Sequence, residues 1–143
     1  MGRSPAAPLH ELELKRELLI PPRAARAFFQ HGAQTASKDR YQPYCELEIS
    51  TVAEQPQRVA PDTFAITGMA RRLVSDEESG MPVRIDIFGS QDIFHETHLW
   101  LSSERQPGMR KLVCRSWTQD LGRGRFLSVR EMQAVLGGGF ALR

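Results

Sequence analysis

Two short stretches decide the fold of this chain: YCELEI at residues 44–49 and KLVCRSW at residues 111–117. In the first, Cys45, Leu47 and Ile49 alternate with polar or charged residues, and this period of two is typical of a strand with one buried face. The second stretch holds Cys114, the other of the two cysteines. If the two stretches lie on facing or neighbouring strands, a disulfide between them would close a loop of about 69 residues and stabilise the fold by about 4 kcal/mol.

The alternative for Cys45 and Cys114 is a pair of buried free thiols, which behave as small hydrophobic side chains. A disulfide would place the protein in an oxidising compartment, whereas free thiols are common in the cytoplasm. A redox-catalytic role is not expected, because the sequence has no Cys-x-x-Cys and neither cysteine is predicted at a helix N-terminus.

The length of 143 residues predicts one domain, and the composition is that of an ordinary globular protein, with 41% hydrophobic and 25% charged residues. We expect a flexible N-terminal segment at residues 1–10 and a single β domain at residues 11–143. The net charge of +2 is too small to indicate a nucleic-acid binder by itself. The sequence has no run of about 20 apolar residues, so no membrane span is predicted. Residues 1–8 resemble a linker or the start of a mature exported chain rather than a signal peptide.

Strand-like alternation recurs along most of the chain. It predicts strands at residues 11–20, 44–52, 63–74, 83–88, 93–102 and 109–117, with residues 33–43 and 54–61 as connections. Residues 23–31 are ambiguous between a strand and a helix that ends at Gly32, and the β-rich surroundings favour the strand. The last three predicted strands are joined by short loops, which indicates an antiparallel meander. The predicted fold is mainly β: an antiparallel sandwich or small barrel of six to seven strands with one C-terminal helix.

Within the predicted strand at residues 63–74, Phe64, Ile66, Gly68 and Ala70 are expected to share one face. Gly68 is also the position at which a β-bulge is expected, because glycine in a strand often marks one.

The predicted helix spans residues 128–136. Ser128 and Glu131 form a capping-box pattern, in which each side chain accepts a hydrogen bond from the other residue's backbone. Met132, Val135 and Leu136 make the apolar stripe, and Gly137 is the expected stop. The short apolar tail at residues 140–142 is expected to pack back on the sheet.

No catalytic motif is recognisable in the sequence, and no metal or cofactor is expected. His95 and His98 are the residues that most resemble metal ligands, but on a strand they point to opposite faces, so we interpret them as surface or boundary histidines. Glu46 and Glu48 are interpreted as a solvated strand face.

The aromatic residues Tyr41, Tyr44, Trp100 and Trp117 fit packing better than a ligand platform. Trp100 nevertheless shares a strand face with His98, next to a basic strand. A nucleic-acid or anion surface is therefore the alternative hypothesis, and it would use Arg71, Arg72, Trp100, Arg110, Lys111 and Arg115.

The chain resembles uncharacterised exported proteins of proteobacteria. The resemblance rests on the stretches at residues 41–49, 55–64, 112–114 and 127–131, and it spans residues 17–136. It implies a periplasmic or envelope location and a β domain with paired cysteines, and it implies no catalytic activity.

The function predicted from these observations is a non-catalytic exported domain that binds a partner protein or a small ligand. Its contact surface is expected on the loops at residues 30–44 and 103–108, because loops on a rigid sheet commonly carry function. The alternative is a cytoplasmic nucleic-acid-binding barrel of the oligonucleotide-binding type, and an enzyme is the third possibility.

Overall fold

The computed structural model describes residues 9–75, 92–119 and 123–143. Their elements in chain order are β1 (Glu11–Leu14), β2 (Leu18–Ile20), β3 (Arg26–Gln30), β4 (Ala33–Thr35), β5 (Tyr44–Ile49), β6 (Gln57–Val59), β7 (Asp62–Ser75), β8 (Ile93–Ser102), β9 (Met109–Thr118), α1 (Val129–Leu136) and β10 (Phe140–Leu142). The ambiguous segment at residues 23–31 therefore contains a strand, Arg26–Gln30, rather than the alternative helix.

Eight of these strands form one antiparallel sheet, here called the main sheet, in the order β10-β1-β7-β8-β9-β5-β3-β4. The main sheet curls into a half-barrel, and β2 pairs with β6 in a separate two-stranded sheet. The predicted mainly β, antiparallel class with one helix is confirmed. The prediction of six to seven strands was too low for the described residues, because the three-residue strands β2, β4, β6 and β10 are too short to show alternation.

The two faces of the main sheet differ in chemistry. The inner face carries the apolar core, to which β5 contributes Cys45, Leu47 and Ile49, as the alternation predicted. The outer face carries the intervening residues, including Glu46 and Glu48. Because side chains alternate along a strand, this division follows from the sequence period of two.

One predicted face is wrong. Phe64 and Ile66 lie on the inner face, but a register shift between Ile66 and Gly68 turns Gly68 and Ala70 to the outer face, where they pair with Trp100 and His98. The extra residue of a β-bulge reverses the alternation beyond it, and the bulge itself was predicted at Gly68. The predicted strand at residues 83–88 lies outside the described residues.

The disulfide between Cys45 and Cys114 is present. The two residues stand directly opposite each other on β5 and β9, with Cα atoms 4.0 Å apart, and both are buried. The bond joins positions 69 residues apart in sequence, across the boundary between the β7-β8-β9 strands and the β3-β4-β5 strands.

Helix α1 closes the open side of the half-barrel. It contacts β10 at one edge of the main sheet and β3, β4 and β5 towards the other edge. Its apolar stripe of Met132, Val135 and Leu136 is buried, as predicted. We call the line along which the two edges meet beneath α1 the seam.

Three contacts hold the seam together. The rings of Phe29 and Phe140 meet edge to face with centroids 5.0 Å apart. The backbone N–H of Gly32 donates to the carbonyl of Val135 at 3.0 Å. Gly137 has a φ of +83°, and a Cβ there would lie 1.9 Å from the carbonyl oxygen of Gly32, so the close approach at the seam requires glycine at position 137.

The predicted capping box at the start of α1 is present. Ser128 Oγ accepts from the N–H of Glu131 at 3.1 Å, and the Glu131 carboxylate accepts from the N–H of Ser128 at 3.0 Å. Arg125 also forms a two-point ion pair with Glu131. The bond from Arg125 and the backbone N–H of Ser128 lower the pKa of Glu131 to about 2.

Removal of the disulfide should lower the free energy of unfolding by about 4 kcal/mol, because the unfolded chain regains the freedom of a loop of about 70 residues. The measurement is urea unfolding of the double variant Cys45→Ala/Cys114→Ala against the oxidised protein. The wild type unfolded under a thiol reductant is the control, and it should lose a similar amount. A loss under about 1 kcal/mol in both samples would contradict the expectation.

The stability that the capping box contributes should be lost at low pH. The carboxylate of Glu131 is ionised in both states above about pH 4.5, so its contribution is complete there. It declines as the pH falls from about 4.5 towards 2, because the unfolded chain takes up the proton first. Glu131→Gln should flatten the pH dependence of stability in that window relative to the wild type, as measured by thermal unfolding at stepwise pH. Parallel curves for the two proteins would contradict the assignment.

Candidate functional site

The outer face of the main sheet carries a closed ring of polar side chains from four neighbouring strands. In order around the ring these are Arg115, Glu46, Arg26, Glu48, Lys111, His98 and Glu96. We call this set the charge ring. The side chain of Val113 lies inside it, because Val113 pairs with His98 on one side and with Glu46 on the other.

One half of the charge ring is centred on Arg115. Its Nε donates to Glu96 at 2.5 Å, and its Nη1 lies 3.0 Å from the carboxylate of Glu46. The other oxygen of Glu46 accepts from Arg26 at 3.3 Å. Each carboxylate is therefore held by guanidinium groups, the strongest type of hydrogen-bonded ion pair in proteins.

The other half runs from Glu48 to Glu96. Glu48 lies 3.5 Å from Arg26 and 3.9 Å from the ammonium of Lys111, which are ion-pair rather than hydrogen-bond distances. Lys111 Nζ lies 3.4 Å from His98 Nδ1, and His98 Nε2 lies 2.8 Å from Glu96. The two ring nitrogens of His98 therefore face an ammonium on one side and a carboxylate on the other.

The prediction that Glu46 and Glu48 form a solvated face is wrong. Glu46 is 5% exposed, and Glu96 across the ring is 3% exposed. Glu48 is partly buried and takes part in two ion pairs. Alternation shows which face a residue occupies but not whether other side chains shield that face from water, and here the residues of the ring shield each other.

Burial and pairing shift the pKa values of two groups of the charge ring, Glu96 and Arg115, in opposite directions. Burial raises the pKa of Glu96, but the hydrogen bonds from His98 and Arg115 outweigh it and leave the pKa below its ordinary value. Burial lowers the pKa of Arg115, while the charge of Glu46 and the bond to Glu96 raise it above its ordinary value. Both groups are therefore charged over the physiological range.

Both histidines of the predicted cluster are buried, so the interpretation as surface or boundary residues is wrong. They do point to opposite faces, as predicted: His98 belongs to the charge ring, and His95 packs against Phe126 on the inner side. Burial lowers the pKa of His95. Within the described ranges, no group of three or more His, Cys, Asp or Glu side chains could hold a metal ion.

The six residues of the predicted nucleic-acid surface do not form one patch. Arg72, Trp100, Lys111 and Arg115 share the outer face, whereas Arg71 pairs with Thr97 on the inner face. Arg110 stands at the register shift between β5 and β9 and is exposed. Arg115 is only 8% exposed and belongs to the charge ring, while Trp100, at 40%, is accessible.

The two predicted contact loops lie at opposite ends of β5, so they do not make a common surface. Residues 30–44 lead into its first residue, Tyr44, while Gly108 accepts a hydrogen bond from Ser50, just beyond its last residue. The loop at residues 103–108 is also fixed to Asp62. Ser103, Arg105 and Gln106 donate to its carboxylate, and these bonds hold the pKa of Asp62 well below its ordinary value.

The candidate site lies at the seam, where a cavity of about 280 Å³ opens between the two edges of the main sheet. Leu14, Leu18, Phe29, Leu136 and Phe140 provide its apolar lining. These residues come from five different elements, β1, β2, β3, α1 and β10. We call this cavity the seam pocket. A largely apolar concave site with few polar groups is the usual form of a small-molecule site.

Backbone contacts fix the walls of the seam pocket. Lys15 N–H donates to the carbonyl of Gly139 at 2.8 Å, which ties the β1–β2 loop to the turn before β10. On the opposite wall, the amide of Gln34 donates to the carbonyl of Leu19 at 2.9 Å. The pocket is therefore formed before any ligand arrives, which reduces the entropic cost of binding.

The polar lining of the seam pocket consists of Arg16, Glu17 and Gln34, together with backbone. Glu17 forms an ion pair with Arg58, at 3.7 Å. Sequence reasoning did not identify these residues, because they come from separated segments with no local motif. The glycine run at residues 137–139, followed by an apolar tail, is the one signal that pointed to this region.

A second cleft, of about 460 Å³, lies beside Tyr41 and Trp117, whose rings meet edge to face at 5.0 Å. Asp92 and Gln119 complete its described lining. These two residues adjoin residues 91 and 120, which lie outside the described part of the chain. The seam pocket is the better candidate because five large apolar side chains from different elements line it, whereas two aromatic rings and two polar side chains make up the described lining of the second cleft.

No protein-family model matches this chain, and neither a curated protein nor a solved structure matches it. What the chain does must therefore be inferred from its own geometry. In the described residues, no helix is long and apolar enough to cross a membrane.

Glu96→Gln should destabilise the protein by about 3 kcal/mol, because it leaves the buried cation of Arg115 with less compensating charge. Glu13→Gln is the matched control, since Glu13 is paired with Arg143 on the exposed surface, where ion pairs contribute little. The measurement is chemical unfolding of both variants. Equal losses would mean that the charge ring behaves as an ordinary surface network.

Proposed function

We propose that this chain is a non-catalytic binding domain of an extracytoplasmic compartment, periplasmic or envelope-associated, and that it takes a small ligand in the seam pocket. The observation that carries the proposal is the pocket itself: preformed, lined by five large apolar side chains and three polar ones, and placed where two sheet edges and a helix meet. Binding sites are common at the mouths of curled β-sheets and between packed elements.

The buried disulfide supports the location. A bond between Cys45 and Cys114 persists where the surroundings are oxidising, and it is uncommon in a reducing cytoplasm. The resemblance to exported proteobacterial proteins agrees with this location.

The absence of a catalytic role is proposed on the chemistry of the pocket. Its polar groups are one guanidinium, one carboxylate already in an ion pair and one amide that donates to backbone. A nucleophile with an adjacent general base is not among the lining residues. Such a lining can retain a ligand, but it offers no route to covalent or acid–base chemistry.

The binding surface proposed here differs from the loops expected from sequence. Only residues 32–34 of the predicted 30–44 loop line the seam pocket, and the 103–108 loop is committed to holding Asp62. The alternative function, a cytoplasmic nucleic-acid-binding barrel, would rest on Arg72, Trp100 and Lys111, because Arg71 and Arg115 do not join them on an accessible surface.

Titration with 1-octanol should produce saturable amide shifts in a two-dimensional NMR spectrum, concentrated at Gly32, Ala33, Gly139 and Phe140. Burial of the alkyl chain supplies the driving force. Ala33→Phe should abolish the shifts, because a large ring at this exposed strand position reaches into the pocket without disturbing the core.

Ala65→Phe is the control for that experiment, since Ala65 is also an exposed strand residue but lies outside the pocket. It should leave the octanol shifts unchanged. Shifts that are spread over the whole surface, or that survive in Ala33→Phe, would overturn the proposal.

A further inference from the structure

Arg16 lies at the mouth of the seam pocket, in the loop between β1 and β2. A Cβ built on Gly139 would lie 3.3 Å from its Nε and 3.7 Å from its Nη2, so the guanidinium rests against the backbone of the turn before β10. Because Gly139 has no side chain, the guanidinium can approach this closely.

Among the residues that the structure describes, no carboxylate forms an ion pair with Arg16. Six other arginines, by contrast, have carboxylates within ion-pair distance: Arg26, Arg58, Arg105, Arg115, Arg125 and Arg143. Glu17 follows Arg16 in the chain and is the acidic residue of the pocket lining. It forms an ion pair with Arg58 instead. A cation is thus available at the entrance of an apolar cavity.

We infer that the seam pocket binds an amphipathic carboxylate, with its alkyl or aryl body among Leu14, Phe29 and Phe140 and its carboxylate on Arg16. This inference rests on the proposed function and names the chemical class of its ligand. A guanidinium presents paired N–H donors that match the two oxygens of a carboxylate, and the pair is stronger where water is partly excluded.

The size of the cavity limits the ligand. A dry cavity of about 150 Å³ is enough to hold benzene, and the seam pocket has about 280 Å³. It therefore accommodates a body of roughly six to ten carbon atoms. Longer chains would have to extend past Arg16 into solvent.

The position of Arg16 does not depend on the ligand. The hydrogen bond from Lys15 to Gly139 holds the β1–β2 loop against the turn before β10, so the arginine is already at the entrance. Glu17 lies at the same entrance but is compensated by Arg58, so the local charge that an incoming anion meets is positive.

The test compares octanoate, 1-octanol and octylamine, which share an alkyl chain and differ in the head group, at pH 7 and low salt. Octanoate should bind the wild type about tenfold more tightly than 1-octanol, and octylamine should bind more weakly than either. Affinities come from the NMR shifts of Gly32 and Gly139 or from calorimetry.

Arg16→Gln should remove the preference for octanoate while leaving the affinity for 1-octanol unchanged, because it deletes the charge and keeps the apolar lining. Arg130→Gln, on the exposed side of α1, is the matched control and should keep the preference. High salt should weaken octanoate binding and not that of 1-octanol.

The outcomes separate the two proposals. If octanoate and 1-octanol bind equally to the wild type, or if Arg16→Gln keeps the preference, the carboxylate inference is wrong and the binding function stands. If none of the three compounds binds in the seam pocket, the proposed function itself fails. A preference for octylamine would also overturn the carboxylate inference.

Discussion

The structure depends on the pairing of β5 with β9, which joins the strands of the first part of the chain to the β7-β8-β9 strands. This joint is secured on both faces of the main sheet. On the inner face, Cys45 and Cys114 are covalently linked. On the outer face, Glu46 pairs with Arg115 across the same two strands. The covalent bond limits the unfolded chain, whereas the ion pairs are complete only when the strands are in register, so the two devices are complementary.

The seam depends on this joint, because β5 is the neighbour of β3 in the strand order. The β3 and β4 strands reach the main sheet only through β5, and they carry one wall of the seam pocket. The other wall belongs to β1 and β10, at the opposite end of the strand order. Helix α1 spans the gap between them, and the close contact of Gly137 with Gly32 fixes how far the half-barrel can close. The volume of the pocket is therefore set by backbone contacts rather than by mobile side chains.

Much of the fold follows from local patterns in the sequence, and the site does not. Alternation identified β5, β8 and β9, and the capping box located α1, because each signal lies within a few neighbouring residues. Strands of three residues, such as β4 and β6, carry no measurable period. The burial of Glu46 depends on side chains from three other strands. Arg16 and Gly139 are in contact although they lie near opposite ends of the chain. Such placements result from tertiary packing, which a single sequence without homologues does not reveal.

The charge ring has a consequence for the electrostatic field of the molecule. With histidine counted as neutral, as in the chain's formal charge, the three cationic side chains Arg26, Lys111 and Arg115 are balanced by three carboxylates. The chain's formal excess of two positive charges is therefore borne by residues elsewhere, and Arg16 is among the cations left over. A neutral ring projects little potential into solvent, so an approaching anion is drawn towards isolated arginines such as this one and not towards the densest cluster of charged groups.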